Sequence, residues 1–164
     1  MKPNIFTIRA ATDADFPQLC ELFTELDAQH LPVRPDLFRP PSHPPRTQED
    51  ITARIEGPDS TIFVAADNHG WGLLGFASVV LRRIPEGVVH KARLAAEVDN
   101  LVVRQNVRRL GIGRALLDRA SAWAEQQGTD GLSLGVYEFN ASAVAFYEAI
   151  GFTTLTRRMV RNHL

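Results

Sequence analysis

The stretch Val103-Arg104-Gln105-Asn106-Val107-Arg108-Arg109-Leu110-Gly111-Ile112-Gly113-Arg114 decides how the rest of the chain is read. It joins a run that reads as a strand, Ala95 to Val103, to one with helical apolar spacing at Leu116, Leu117, Ala120, Trp123 and Ala124. Glycines at 111 and 113 let the main chain approach a ligand closely, and the unpaired N–H groups of a first helical turn point at whatever sits there. Arg108, Arg109 and Arg114 add positive charge, and the helix dipole acts in the same sense. The physics is that of anion binding, and a pyrophosphate suits it. Turn glycines also arise for geometry alone, so the arginines add weight without fixing the ligand. Neither G-x-G-x-x-G nor G-x-x-x-x-G-K-[ST] occurs, so the dinucleotide fingerprint and the P-loop both fail on spacing.

Downstream, the helix from Gly111 to Gln127 ends at Gly128, and Leu132, Leu134 and Val136 alternate as a strand. Ala141 to Ile150 is helical in composition, with Asn140 as N-cap and Gly151 just past its end, and a final strand is expected from Phe152 to about Val160. Upstream, Ile5 to Ala10 reads as an opening strand, and Thr12 with Asp15 as a capping box for a helix fading near His30. Leu31 to Arg46 is too rich in proline for a helix interior or a central strand, which makes it a loop. Thr47 with Asp50 caps a second helix that stops at Gly57-Pro58. Thr61 to Ala66 and Leu73 to Leu81 form an antiparallel hairpin through Asp67-Asn68-His69-Gly70, and Arg82 to Arg93 reads as irregular. The order βααβββαβαβ requires a mixed sheet, antiparallel early and parallel late, covered by helices. The fold class is therefore α/β (α+β).

With 164 residues, 45% hydrophobic and 23% charged, the chain is expected to be one soluble domain spanning 1–164. It shows no signal-peptide pattern and no apolar run near the about 20 residues a membrane span needs, which points to the cytoplasm and no membrane partner. The net charge of −1 and the localised basic cluster argue against nucleic acid. Cys20 is the sole cysteine and sits in an apolar helical pattern, so a core role is expected. His30, His43, His69, His90 and His163 are too dispersed for metal ligation, and no metal is assigned.

Arg108-x-x-Gly111-x-Gly113 resembles the [QR]-x-x-G-x-[GA] signature of the GNAT acetyltransferases, and Asn140-x-x-Ala143-x-x-Phe146-Tyr147-x-x-x-Gly151-Phe152 resembles the family's later element at every named position. Two motifs in family order, with a matching order of elements, extend the resemblance over essentially the whole chain. It implies a mixed central sheet of about six to seven strands flanked by helices, and acetyl-CoA as co-substrate. By the same resemblance, Leu101, Val102 and Val103 pair with the pantetheine arm as an added strand. Arg108, Arg109, Leu110, Gly111, Ile112, Gly113 and Arg114 hold the pyrophosphate, and Asn140, Phe146 and Tyr147 lie on the cofactor side.

Tyr147 is expected near the sulfur as general acid, because a phenol with an ordinary pKa of about 10 stays protonated and can donate to a departing thiolate. Its alternative is a half-buried aromatic beside Phe146. An amine attacks a thioester only when neutral, so a base or a water chain is needed. Glu97 and Asp99 are the candidates, sharing one face of the strand with Leu101 and Val103 by simple alternation. Glu97, the favoured of the two, has a placement like that of the base in the family's histone acetyltransferases, while a solvated strand end accounts equally for both carboxylates. The resemblance implies transfer to a primary amine, of a small molecule or of a protein N-terminus or lysine. A non-catalytic acyl-CoA sensor would have no need of Tyr147. The region His30 to Phe38 falls where the family varies its acceptor pocket, and a homodimer is expected on resemblance alone.

Overall fold

A computed structural model describes residues 5–161. Met1 to Asn4, part of the N-terminal reading, and His163 lie outside the described residues. Five strands, β1 (Phe6–Ala10), β2 (Ser60–Asp67), β3 (Leu73–Ile84), β4 (Arg93–Val103) and β5 (Leu132–Leu134), form one sheet in the order β1-β2-β3-β4-β5. Neighbours are antiparallel except β4 and β5, which run parallel, as the late alternation of strand and helix requires. Helices α1 (Phe16–His30) and α2 (Gln48–Glu56) cover one face, and α3 (Ile112–Gln126) covers the other. Helix α4 (Ala141–Ala149) follows β5.

The core divides accordingly. On the α1/α2 side Leu19, Leu22, Phe23 and Ile51 pack with Ile62, Val64, Phe76 and Val102. On the α3 side Ile112, Leu116, Ala120 and Ala124 pack with Phe63, Ala65, Ala77, Val79 and Ala96. The Phe23 and Phe76 rings lie 4.6 Å apart with Phe76 fully buried, so truncating Phe76 to alanine costs about 3–5 kcal/mol.

Both capping boxes form. Thr47 Oγ1 accepts from the Asp50 N–H at 3.1 Å and starts α2. Thr12 and Asp15 close a 3-10 turn, Asp13–Asp15, that leads into α1. Asp15 is also buried against Arg9 of β1, with two charge-assisted hydrogen bonds of 2.7 and 2.8 Å that fix the start of α1 to the sheet. The proline-rich loop, residues 31–47, is tied down at its far end by Arg46, which grips Asp27 of α1 with both terminal nitrogens and lies over the Phe23 ring. The half-buried Cys20 thiol, pushed up in pKa by burial, donates to the Arg46 carbonyl.

Four features differ from the sequence expectation. The sheet has five strands, because the segment after Phe152 joins no ladder. Its threonines favour a strand, but a strand needs a partner, and β5 offers an edge of only three residues. Leu155, Met159 and Val160 are consequently 81–86% exposed. Conversely, β3 and β4 pair out to Ile84 and Arg93, so the irregular stretch shrinks to residues 85–92. Arg82 and Arg83, at the start of the expected stretch, project as ion pairs, Arg82 with Glu97 and Arg83 with Asp59. Val136 lies beyond β5. Finally, β4 is not a simple alternating strand: Ser78 faces Asn100 while Val79 faces Val98, which leaves Asp99 as an extra, bulged residue.

Candidate active site

The bulge decides which side chains of β4 share a face. Before it, Ala96 packs on the α3 side; after it, Leu101 and Val103 do, while Val102 turns to the α1/α2 side. Glu97 therefore does not share a face with Leu101 and Val103, contrary to the alternation expected from sequence. Its partner is Arg82 Nε at 3.0 Å, in a smaller groove lined also by Leu132 and Ser133. Asp99 meets Arg54 of α2, with Arg54 Nη1 2.6 Å from Asp99 Oδ2 and 3.2 Å from the Oγ of the fully buried Ser78.

Asp99 lines the main cavity of the molecule, about 1390 Å³ in volume; Glu97 does not. One end of this cavity is built from the loop that opens the sequence argument. Strand β5 pairs with β4 only at Ala96, Val98 and the intervening Glu97, so the outer edge of Leu101, Val102 and Val103 faces the cavity with no strand beside it. An extended ligand can pair there as an added strand. Beyond that edge, Arg109 (φ 64°) and Gly111 (φ 84°) both adopt left-handed backbone conformations, and Gly111 serves as the N-cap of α3. Left-handed residues among right-handed ones turn successive N–H groups to one side and make an anion-binding concavity. A side chain on Gly111 would meet no atom within 4 Å, so this position opens outward. Arg108, Arg109, Gly113 and Arg114 also line the cavity, and Arg108 Nε donates to the Val103 carbonyl at 3.1 Å. The donor set and open backbone fit a pyrophosphate. Of the loop residues expected to bind it, Leu110 is exposed and does not line the cavity.

Helix α4 closes the same end. Asn140 caps it, its Oδ1 accepting from the Ala143 N–H at 3.3 Å, which commits that oxygen to the helix. Phe146 packs over Gly113, and Tyr147 lies beside Phe146 with ring centroids 5.3 Å apart and against Phe152 at 5.7 Å. Asn140, Phe146 and Tyr147 all line the cavity. Burial pushes the Tyr147 phenol above its ordinary value, which favours the protonated, donating form.

The other end of the cavity is only outlined by the sequence. The loop of residues 31–47 roofs it with Leu37, Phe38, Arg39, Pro40, Pro41 and Arg46, and α1 adds Leu26, Asp27 and His30. Facing them, Val136 and Tyr137 come from the connection between β5 and α4. Sequence reasoning misses Tyr137, because nothing in its local pattern pairs it with a loop 100 residues earlier. Among the described residues there is no group of three or more potential metal ligands, and no helix is long and apolar enough to cross a membrane.

Comparison with known proteins bears on the family and the fold. The sequence profile of the acetyltransferase (GNAT) family matches residues 21–152. The chain is 40% identical over 63 residues to the [ribosomal protein bS18]-alanine N-acetyltransferase of Escherichia coli K12, a match covering 38% of this chain and 43% of that enzyme. The chain thus spans less than half the length of this relative. A crystal structure of a mutant of the BH1408 protein from Bacillus halodurans superimposes with a TM-score of 0.90 at 26% identity, over 96% of this chain and 99% of that one. The aminoglycoside 6'-N-acetyltransferase AAC(6')-Ih from Acinetobacter baumannii shares the fold, with a TM-score of 0.72 at 15% identity over 97% and 98% of the two chains.

Proposed function

The chain belongs to the acetyltransferase (GNAT) family, and on that premise we propose that it transfers the acetyl group of acetyl-CoA to the primary amine of a small molecule by direct attack. One observation supports the choice of a small acceptor: the loop of residues 31–47 lines the cavity together with α1 and the connection between β5 and α4, away from the pyrophosphate loop. A peptide needs an open groove there. The E. coli relative acts, by its name, on an alanine of a ribosomal protein, so a protein N-terminus is the alternative acceptor.

In this reading the edge of Leu101 to Val103 holds the pantetheine arm, and the main chain from Arg108 to Arg114 holds the pyrophosphate. The neutral amine nitrogen attacks the thioester carbonyl, a C–N bond forms and the C–S bond breaks. Tyr147 gives its proton to the departing thiolate, and the nitrogen loses its proton through Asp99 or water. Asp99 takes precedence over Glu97 as the base because it lines the cavity. A purely binding role leaves Tyr147 without a task. A homodimer belongs to the same proposal, read by sedimentation against a monomer of 18.2 kDa.

The test has two parts. Acetyl-CoA should raise the melting temperature, since a ligand bound only by the folded state stabilises it by mass action, while NAD and ATP should do much less. Gly111→Val should abolish that rise, because its φ of 84° disfavours any β-branched residue and the substitution disturbs the main chain that would cradle the pyrophosphate. Acetyl-CoA consumption is then measured against a panel of amines and peptides. An unaltered rise in Gly111→Val sinks the loop assignment, and consumption with peptides alone sinks the small-molecule reading.

A further inference from the structure

The acceptor end of the cavity carries a rigid aromatic wall. Tyr137 is stacked on Phe139, with centroids 5.0 Å apart and 17° between planes, and Phe38 meets it edge-on at 5.4 Å and 83°. His30 leans on Phe38 at 5.0 Å and on Tyr137 at 5.9 Å. Phe38, Tyr137 and His30 line the cavity while Phe139 backs them, and Tyr137 is still 48% exposed. An aromatic ring buttressed from behind and left open in front is a contact surface in place before any ligand arrives, so little is lost in ordering it.

Charge narrows the choice. Among the described residues two carboxylates line the cavity, and each already faces an arginine: Asp27 lies 2.9 Å from Arg46, and Asp99 lies 2.6 Å from Arg54. Arg39 adds positive charge to the same end. An acceptor with several ammonium groups would bury them against neutralised carboxylates and arginines, and an uncompensated buried charge is costly. An acceptor with one amine on an apolar body loses nothing of the kind.

Resting on the acetyltransferase reading, we propose that the acceptor is a primary monoamine carried on a planar apolar body, which lies against Phe38 and Tyr137, and that polycations are disfavoured. These two residues then set acceptor specificity without touching the acetyl-CoA half of the site.

The experiment compares kcat/KM for four amines at saturating acetyl-CoA: 2-phenylethylamine, spermidine, kanamycin and a hexapeptide beginning with alanine. 2-Phenylethylamine should lead the others by about 10-fold or more. Phe38→Ala and Tyr137→Ala should raise its KM by about 10-fold, with a smaller effect on kcat and none on the acetyl-CoA-induced rise in melting temperature. Tyr137→Phe keeps the ring, so its KM should rise far less than that of Tyr137→Ala, and this rescue by the conservative variant separates loss of the wall from loss of the fold. Leu37→Glu places a new carboxylate on the cavity lining and should shift preference toward spermidine. Faster acetylation of spermidine, kanamycin or the peptide overturns this proposal and leaves the acetyltransferase reading standing. An unmoved KM in both alanine variants overturns it too. No turnover with any of the four overturns this proposal, while the acetyltransferase reading is judged separately by the acetyl-CoA-induced rise in melting temperature.

Discussion

Gly113 and Phe146 meet so closely that a methyl group on Gly113 would lie 3.1 Å from Phe146 Cζ. The two residues come from the two separate motifs of the chain, so this contact sets the start of α3 against α4, the helix that carries Tyr147. A second neighbour, Val103 Cγ2, would be 3.7 Å away. Gly113→Ala should be tolerated with a small shift of the ring. Gly113→Val should force α4 outward, cost about 1–3 kcal/mol in stability, and lower turnover by displacing Tyr147. Denaturant melts and steady-state rates on the two variants measure this; equal rates would mean that α4 is not positioned by the contact.

Tyr147→Phe should leave acetyl-CoA affinity nearly intact and reduce turnover by about 10²-fold or more, the scale of a lost positioned acid. The ring remains between Phe146 and Phe152, so packing survives and the loss reports chemistry. Because burial raises the phenol above its ordinary value of about 10, the alkaline fall in rate should lie above pH 10 in the parent and vanish in the variant. A pH–rate profile identical in both would remove Tyr147 from the mechanism.

The two carboxylates of β4 should separate kinetically. Asp99→Asn should depress the rate most at low pH, where the amine is mostly protonated, with partial recovery as pH rises. Glu97→Gln, whose side chain is held by Arg82 away from the cavity, should retain far more of the rate. Full activity in both would leave proton removal to water. The reverse ranking would place the base at Glu97.

Asp15 should make stability sensitive to acid. The Arg9 hydrogen bonds, opposed by burial and reinforced by the Thr12 N–H, hold its carboxyl below the usual range. A depressed folded pKa contributes stability that is complete above the unfolded value of about 3.9 and is lost as pH falls through the lower folded value. Asp15→Asn should therefore destabilise the protein by about 1–3 kcal/mol at pH 7, and the gap between variant and parent should close as pH falls through the depressed folded pKa. Thermal melts across pH 2 to 7 test this, and a gap independent of pH would assign the effect to packing.

What could be read in the sequence was local. The pyrophosphate loop, the capping residues and the hairpin turn each declare themselves within a few residues, through glycines, hydroxyl and carboxylate caps and turn chemistry. What escaped depends on partners distant in the chain. The Phe152 segment has the composition of a strand and no edge long enough to join. Arg82 and Arg83 look like loop residues until their partners Glu97 and Asp59 are in place. Tyr137 gains meaning only beside Phe38 and His30, and Asp99 only because a residue in excess of its opposite strand lets it reach Arg54.

That surplus residue also fixes the parity of β4. Ala96 is even-numbered and Leu101 and Val103 are odd, yet all three pack beneath α3. Only an irregularity between them reconciles the two halves. Deleting Asp99 would therefore remove the carboxylate and the bulge together and leave the faces as they are, since Ala96, Leu101 and Val103 would then stand an even number of residues apart in a regular ladder. For this position, a point substitution and a one-residue deletion ask different questions. The first asks about a proton, and the second about the bend and twist that the extra residue gives the strand.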